Sequence, residues 1–150
     1  MRVFLGGTCN ESKWREELIP HLECEYFNPV VPDWTPACQD NERRQRDECD
    51  VVLYVITPRM TGVYAIAEAV EDAIKRPQKT VFCYRPDETI GYSGCGVGGF
   101  LQGAEFTVGA EKSLIATSEL IRRNGATVVR WEDLAAELND RAHQERYLEE

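Results

Sequence analysis

The chain has 150 residues, enough for one domain that buries roughly two thirds of the surface of its unfolded form, so size alone demands no disulfide framework. A formal net charge of −9 repels phosphate backbones and argues against a nucleic-acid polymer as partner, and no apolar run is long enough to cross a membrane. The cysteines Cys9, Cys24, Cys38, Cys49, Cys83 and Cys95 lack CxxC spacing and do not cluster with His21 or His143, which points to reduced thiols and no zinc site.

The opening MRVFLGG enters a strand pattern rather than a signal peptide, so a soluble, cytoplasmic protein is expected. Arg2 to Leu5 reads as a short buried strand stopped by Gly6 and Gly7, after which Asn10 or Ser12 caps a helix through about Leu22. Tyr26 to Val31 is broken by Pro29 and Pro32, giving a short strand and then an irregular loop with Asp33, Trp34 and Pro36. The next helix runs from about Pro36 or Asp40 to Glu48. Its Arg43, Arg44 and Arg46 interleave with Glu42, Asp47 and Glu48, the pattern of a solvated face laced with i,i+4 pairs. Val51 to Ile56 is the clearest buried strand, an unbroken run of β-branched, aromatic and aliphatic residues.

From Val63 the apolar positions Val63, Ile66, Ala67, Val70 and Ile74 recur at helical spacing as far as Arg76 and Pro77. Thr80 to Tyr84 is a fourth strand. The stretch from Asp87 to Gly103 holds GYSGCGVGGFLQG, too rich in glycine for a regular element, and reads as a lid or a disordered insertion. Ala110 to Arg123 resumes helix, Asn124 and Gly125 stop it, Ala126 to Trp131 gives a last strand, and Glu132 opens a final helix. The charged tail from Arg141 to Glu150 frays or packs on a neighbouring subunit.

Strands alternating with helices call for a parallel sheet covered on both faces, because each crossover needs a helix and parallel strands must be buried. The economical solution for residues 1–150 is one α/β domain: a flavodoxin-like three-layer sandwich with a five-stranded parallel sheet. In such a sheet ligands bind beyond the carboxyl ends of the strands, which directs attention to the loops there.

The loop GGTCNES after the first strand is neither a Walker loop nor GxGxxG. Gly6 and Gly7 let backbone amides approach a ligand, and Thr8 and Asn10 offer hydrogen bonds to sugar hydroxyls or a phosphate; the plainer reading is a tight strand-to-helix turn. Asp33 beside Trp34 suits hydrogen bonding and stacking of a planar base, with Trp34 alternatively a core plug. Helical periodicity leaves Glu68 on the polar side of its helix, either solvated or facing a crevice where the helix dipole keeps its carboxylate ionised.

The segments GGTCNESKWR, FNPVVPDW, NERRQRDECDVVLYVITP and TGVYAIAEA follow the order and spacing of the nucleoside 2-deoxyribosyltransferase-like proteins. The chain resembles that family over about the first 85 residues, and AEKSLIATSELIRRNGATVV is similar to its C-terminal half. The resemblance implies that Glu68 is a catalytic nucleophile, that Glu42 or Asp33 assists departure of a base, and that Gly6, Gly7, Thr8 and Asn10 line a sugar pocket. The chain departs from the family's transferases at Phe4, where they carry a tyrosine, and at Thr61 and Gly62, where they carry an aspartate; Tyr64 or Tyr92 offers a replacement hydroxyl.

The function expected is cleavage of a nucleoside or nucleotide N-glycosidic bond, by deoxyribosyl transfer or hydrolysis, through a covalent glycosyl-glutamate and without metal or organic cofactor. The expected partners are a small-molecule nucleoside or nucleotide and further copies of the chain in a dimer or larger homo-oligomer, with no membrane. A 5′-monophosphate substrate would engage the loop from Gly6 to Ser12 and Arg59. The alternatives are a catalytically silent nucleotide-binding or sensing module and an NAD glycohydrolase.

Overall fold

A computed structural model describes residues 1–9, 11–90 and 102–149. In chain order its elements are β1 (Arg2–Gly7), α1 (Trp14–Leu18), β2 (Glu25–Phe27), α2 (Pro36–Glu48), β3 (Val51–Ile56), α3 (Tyr64–Lys75), β4 (Thr80–Tyr84), β5 (Asp87–Ile90), β6 (Gln102–Glu105), α4 (Val108–Arg123), β7 (Thr127–Val128) and α5 (Trp131–Glu149). Five strands form an all-parallel sheet in the order β2-β1-β3-β4-β7 with helices on both faces, the flavodoxin-like sandwich.

The alternation of side chains along the central strands builds two cores. Val3, Leu5, Leu53, Val55 and Val81 meet Trp14 and Leu18 of α1 and Leu134 and Leu138 of α5. Phe4, Val52, Tyr54, Ile56 and Phe82 point the other way, onto Ala69 and Ala73 of α3 and Leu114 and Ile121 of α4. No residue of α2 is a member of either core. Arg46 is its only buried residue, and α2 is held by polar links: Arg46 to Asp72, Arg76 to Asp47, and Lys79 to the carbonyls of Asp47 and Cys49. The expectation of a wholly solvated arginine face therefore holds for exposed Arg43 and Arg44 and fails at Arg46.

Several boundaries differ from the sequence expectation for local reasons. The first helix is shorter: Pro20 brings in a 3-10 turn at Ile19–His21, and the helix starts at Trp14 with no local side-chain cap. Beside that start the Lys13 N–H is taken by Glu88 Oε1 at 2.6 Å, and the expected cap Ser12 instead donates its hydroxyl to the same carboxylate at 2.9 Å. β2 ends at Phe27, before Pro29, and the last strand contracts to Thr127–Val128 because Trp131 already opens α5. The flanks of the glycine-rich stretch are regular after all: β5 and β6 pair antiparallel, Asp87 opposite Glu105 through Ile90 opposite Gln102. The run between them, including Tyr92 and Cys95, lies outside the described residues, as does Asn10.

The predicted apolar stripe of α3 is rotated. Val63, Ala67 and Ile74 are exposed, and the buried residues are Ala69, Asp72 and Ala73. The face turned inward therefore carries a carboxylate, which is possible only because that carboxylate is paired.

Candidate active site

The chain leaves β1 for β2 on one side while β3 lies on the other, so a crevice opens at the carboxyl ends of β1 and β3. A cleft of about 240 Å³ occupies it. Its floor comes from β1, with Phe4, Gly6 and Gly7, and from Thr8 just beyond the strand. A Cβ at Gly7, whose φ is +119°, would lie 2.1 Å from the Val55 carbonyl oxygen, and one at Gly6 would lie 2.9 Å from the rings of Phe4 and Tyr54. Both glycines are thus demanded by close packing against β3 and the aromatic floor.

The loop after β1 is fastened from three sides. Thr8 N–H donates to the Val55 carbonyl at 2.8 Å, and Thr57 N–H donates to Thr8 Oγ1 at 2.9 Å, which locks β1 to the end of β3. Arg15 lies over the Trp14 ring at 4.2 Å and donates to the carbonyls of Leu5 at 2.9 Å and Thr8 at 2.7 Å. Burial pulls its guanidinium down to about 10, so it stays charged at neutral pH. Behind the loop, Ser12 Oγ stands 3.2 Å from Thr57 Oγ1 while it donates to fully buried Glu88, so the β5–β6 hairpin braces the same segment. Neither Arg15 nor Glu88 stands out in the sequence. Arg15 sits within the GGTCNESKWR segment, and Glu88 reaches across 76 positions to Ser12, a separation no local pattern reports.

The walls bring together residues from three loops and helices. Trp34 and Pro29 line the cleft from the β2–α2 connection, Glu42 from α2, Gly62 from the β3–α3 loop, and Tyr64, Ala65 and Glu68 from the first turns of α3. Trp34 is 60% exposed, which removes the reading of a core plug, and Tyr64 is 59% exposed at the same mouth. Asp33 is exposed beside Trp34 and is not among the lining residues. A side chain at Gly62 would meet nothing within 4 Å, so packing does not require glycine there.

Glu68 faces this cleft, its side chain only 15% exposed. Burial pushes its carboxyl up to about 6, with Glu42, Asp72 and Glu71 adding to the rise and Arg46 opposing it. The expected helix dipole does not prevail, because Glu68 lies beyond the first turn, where that field fades. Burial likewise raises Glu42, opposed by Arg46 and Arg15. The cleft therefore holds two carboxyls that both retain protons more tightly than a solvated glutamate, beside an aromatic rim and a glycine floor. Paired carboxyls at an aromatic mouth suit acid–base or nucleophilic chemistry on a small polar molecule.

A family model described as nucleoside 2-deoxyribosyltransferase like matches residues 1–87, a span that contains every described residue lining the cleft. The chain belongs to that family. The match supports a nucleoside-processing function and a small-molecule nucleoside substrate for this deoxyribosyltransferase-like chain. A search of curated proteins returned no match. Among the described residues no helix is long and apolar enough to cross a membrane.

Proposed function

We propose that the chain cleaves the N-glycosidic bond of a nucleoside, with Glu68 as nucleophile and Glu42 as the acid that serves the departing base. The observation that carries this reading is the convergence of these two half-buried carboxyls on one cleft at the sheet's switch point, within the span matched by the family. The Glu68 carboxylate attacks the anomeric carbon, forming a C–O bond as the C–N bond breaks. The bonding pair leaves with the base, which takes the Glu42 proton. Water or an acceptor base then attacks the glycosyl ester, Glu42 taking back a proton, and Glu68 is released as carboxylate.

Trp34 and Tyr64 supply faces for the base, and Gly6, Gly7 and Thr8 bound the sugar. A neutral nucleoside suits the cleft better than its 5′-monophosphate. Arg15 is the only Lys or Arg among the described lining residues and is committed to backbone carbonyls, and neither Asn10 nor residues 91–101 include a cation.

A second reading is favoured by the raised carboxyl of Glu68. Raised to about 6, Glu68 keeps a minor protonated fraction at neutral pH, and that fraction can serve as acid while Glu42 activates water for direct hydrolysis. Incubation with ribo- and deoxyribonucleosides, their monophosphates and NAD, with and without an acceptor base, separates these outcomes by chromatography of free base. Release from a nucleoside that vanishes in Glu68→Gln is expected. Retained binding with no release from any substrate would assign the cleft to a silent binding module.

A further inference from the structure

Arg46 holds three carboxylates at once. Its Nε and Nη2 form a side-on fork on Asp72 at 3.0 and 2.9 Å, and Nη2 also donates to Glu71 at 2.9 Å. Nη1, which that fork does not use, lies 3.5 Å from Glu68 Oε1. Asp72 is itself fully buried, accepts the Tyr54 hydroxyl at 2.5 Å and forms an ion pair with Arg76 Nε at 2.9 Å. The guanidinium plane is thus fixed from β3 and α3 before Glu68 is considered.

We propose that Arg46 is the positioning residue of Glu68: clamped by Asp72, its guanidinium keeps Glu68 in the carboxylate form and turns it into the cleft. The inference rests on reading Glu68 as the nucleophile. A tie between α2 and α3 alone is complete with the fork on Asp72 and needs no Nη1 contact. At 3.5 Å the contact on Oε1 attracts the carboxylate without gripping it, and it leaves Oε2 to approach the anomeric carbon. When the ester forms and Glu68 loses its charge, Arg46 still has Asp72 and Glu71, so no buried cation is stranded.

The charged and titratable groups around Glu68 are Arg46 and Glu42 from α2, Glu71 and Asp72 from α3, and Tyr54 from β3. Arg46 alone among them favours the ionised form, against burial and three acids. Without it, half or more of Glu68 would be protonated at neutral pH, and the share able to attack would fall.

The test follows the Glu68 carboxyl directly, by pH titration of full-length protein labelled with ¹³C at glutamate Cδ, the Glu68 signal being the one lost in Glu68→Gln. Arg46→Gln is expected to raise the midpoint by about 1 to 3 pH units, the range for losing an opposite charge at this distance. Arg46→Lys, restoring charge without the fork, recovers most of that shift. Where base release is measurable, Arg46→Gln lowers kcat about tenfold or more with KM held within about threefold, and the acid limb of kcat/KM moves with the titration midpoint. If Arg46→Gln does not fold, the double variant Arg46→Met/Asp72→Asn removes both buried charges and still moves the midpoint upward, because the pull of Arg46 on Glu68 outweighs the push of Asp72. An unmoved midpoint in a folded variant overturns the proposal. A moved midpoint in a protein that releases no base from any nucleoside upholds the coupling and overturns only the nucleophilic role of Glu68.

Discussion

Glu68 is costly to ionise where it sits, and that cost has a measurable sign. Its folded carboxyl is raised to about 6 from the ordinary glutamate value of 4.5, so stability is lost as pH rises from about 4.5 to about 6, and above that the full cost of ionising it is carried by the fold. Glu68→Gln should therefore melt at a higher temperature than the parent at pH 8, by a few degrees at most, and nearly together with it at about pH 4, where both states of the parent are largely protonated. The same substitution should lower base release by about a thousandfold or more while binding persists, measured as kcat against ligand-induced thermal shift. Stability bought by losing activity marks a group whose burial serves chemistry. At Gly7 the reasoning is purely steric: a Cβ 2.1 Å from the Val55 carbonyl, at φ +119°, forces β1 from β3, so Gly7→Ala should cost about 1 to 3 kcal/mol in denaturant unfolding.

Among the elements, α2 is distinctive because it carries Glu42 into the cleft yet adds nothing to either apolar core. Ion pairs hold it, and such links weaken with salt where they are exposed and with acid where carboxylates protonate. Glu71, held down to about 2 chiefly by Lys75 and Arg46, contributes fully above the ordinary glutamate value and loses its share progressively as pH falls from there through about 2. Amide exchange in α2 should accordingly be faster than in α4, and 1 M salt should widen the gap; equal protection of the two helices would contradict this. The β5–β6 hairpin is anchored by one fully buried carboxylate, Glu88, on Ser12 Oγ and the Lys13 N–H. Glu88→Ala leaves those donors unsatisfied and should cost about 1 to 3 kcal/mol in urea unfolding.

These elements also mark how far the sequence could be read. Val51 to Ile56 announces a central parallel strand, since a strand buried on both faces must be apolar throughout, and with it came the sheet and the switch point. Periodicity misplaced the inner face of α3, because Asp72 and Glu68 turn inward toward Arg46, and a pattern that counts only apolar residues assigns such positions to water. Arg46 sits in an Arg/Glu run that looks solvated on both sides, and its partners lie 22 to 26 positions away on another helix. The convergence of Glu68, Glu42 and Trp34 with the glycine floor came from the sheet-edge argument and the family likeness together. Asp33, drawn from the same loop as Trp34, faces solvent because only one of two adjacent loop residues turns to the cleft.

At the scale of the whole molecule, the cleft mouth is unusually apolar for a surface: Trp34, Tyr64 and neighbouring Val63 are exposed, and Ile74 continues the outer side of α3. Exposed aromatics beside a cleft fit a planar ligand, and the α3 face fits the homo-oligomer expected from the sequence. Sedimentation velocity should find more than one copy per particle, and Ile74→Glu should shift the distribution toward single chains.

The covalent step is the centre of the account, and one measurement reaches it directly. In a 2-deoxy-2-fluoroarabinosyl nucleoside the fluorine destabilises the oxocarbenium-like transition states of both half-reactions, so with no acceptor base present the slowed hydrolysis of the glycosyl ester lets it persist long enough to be detected. Intact-mass and peptide mass spectrometry of the treated protein should show one added sugar, on Glu68, absent from Glu68→Gln. Base release without any adduct, or an adduct on another residue, would contradict it.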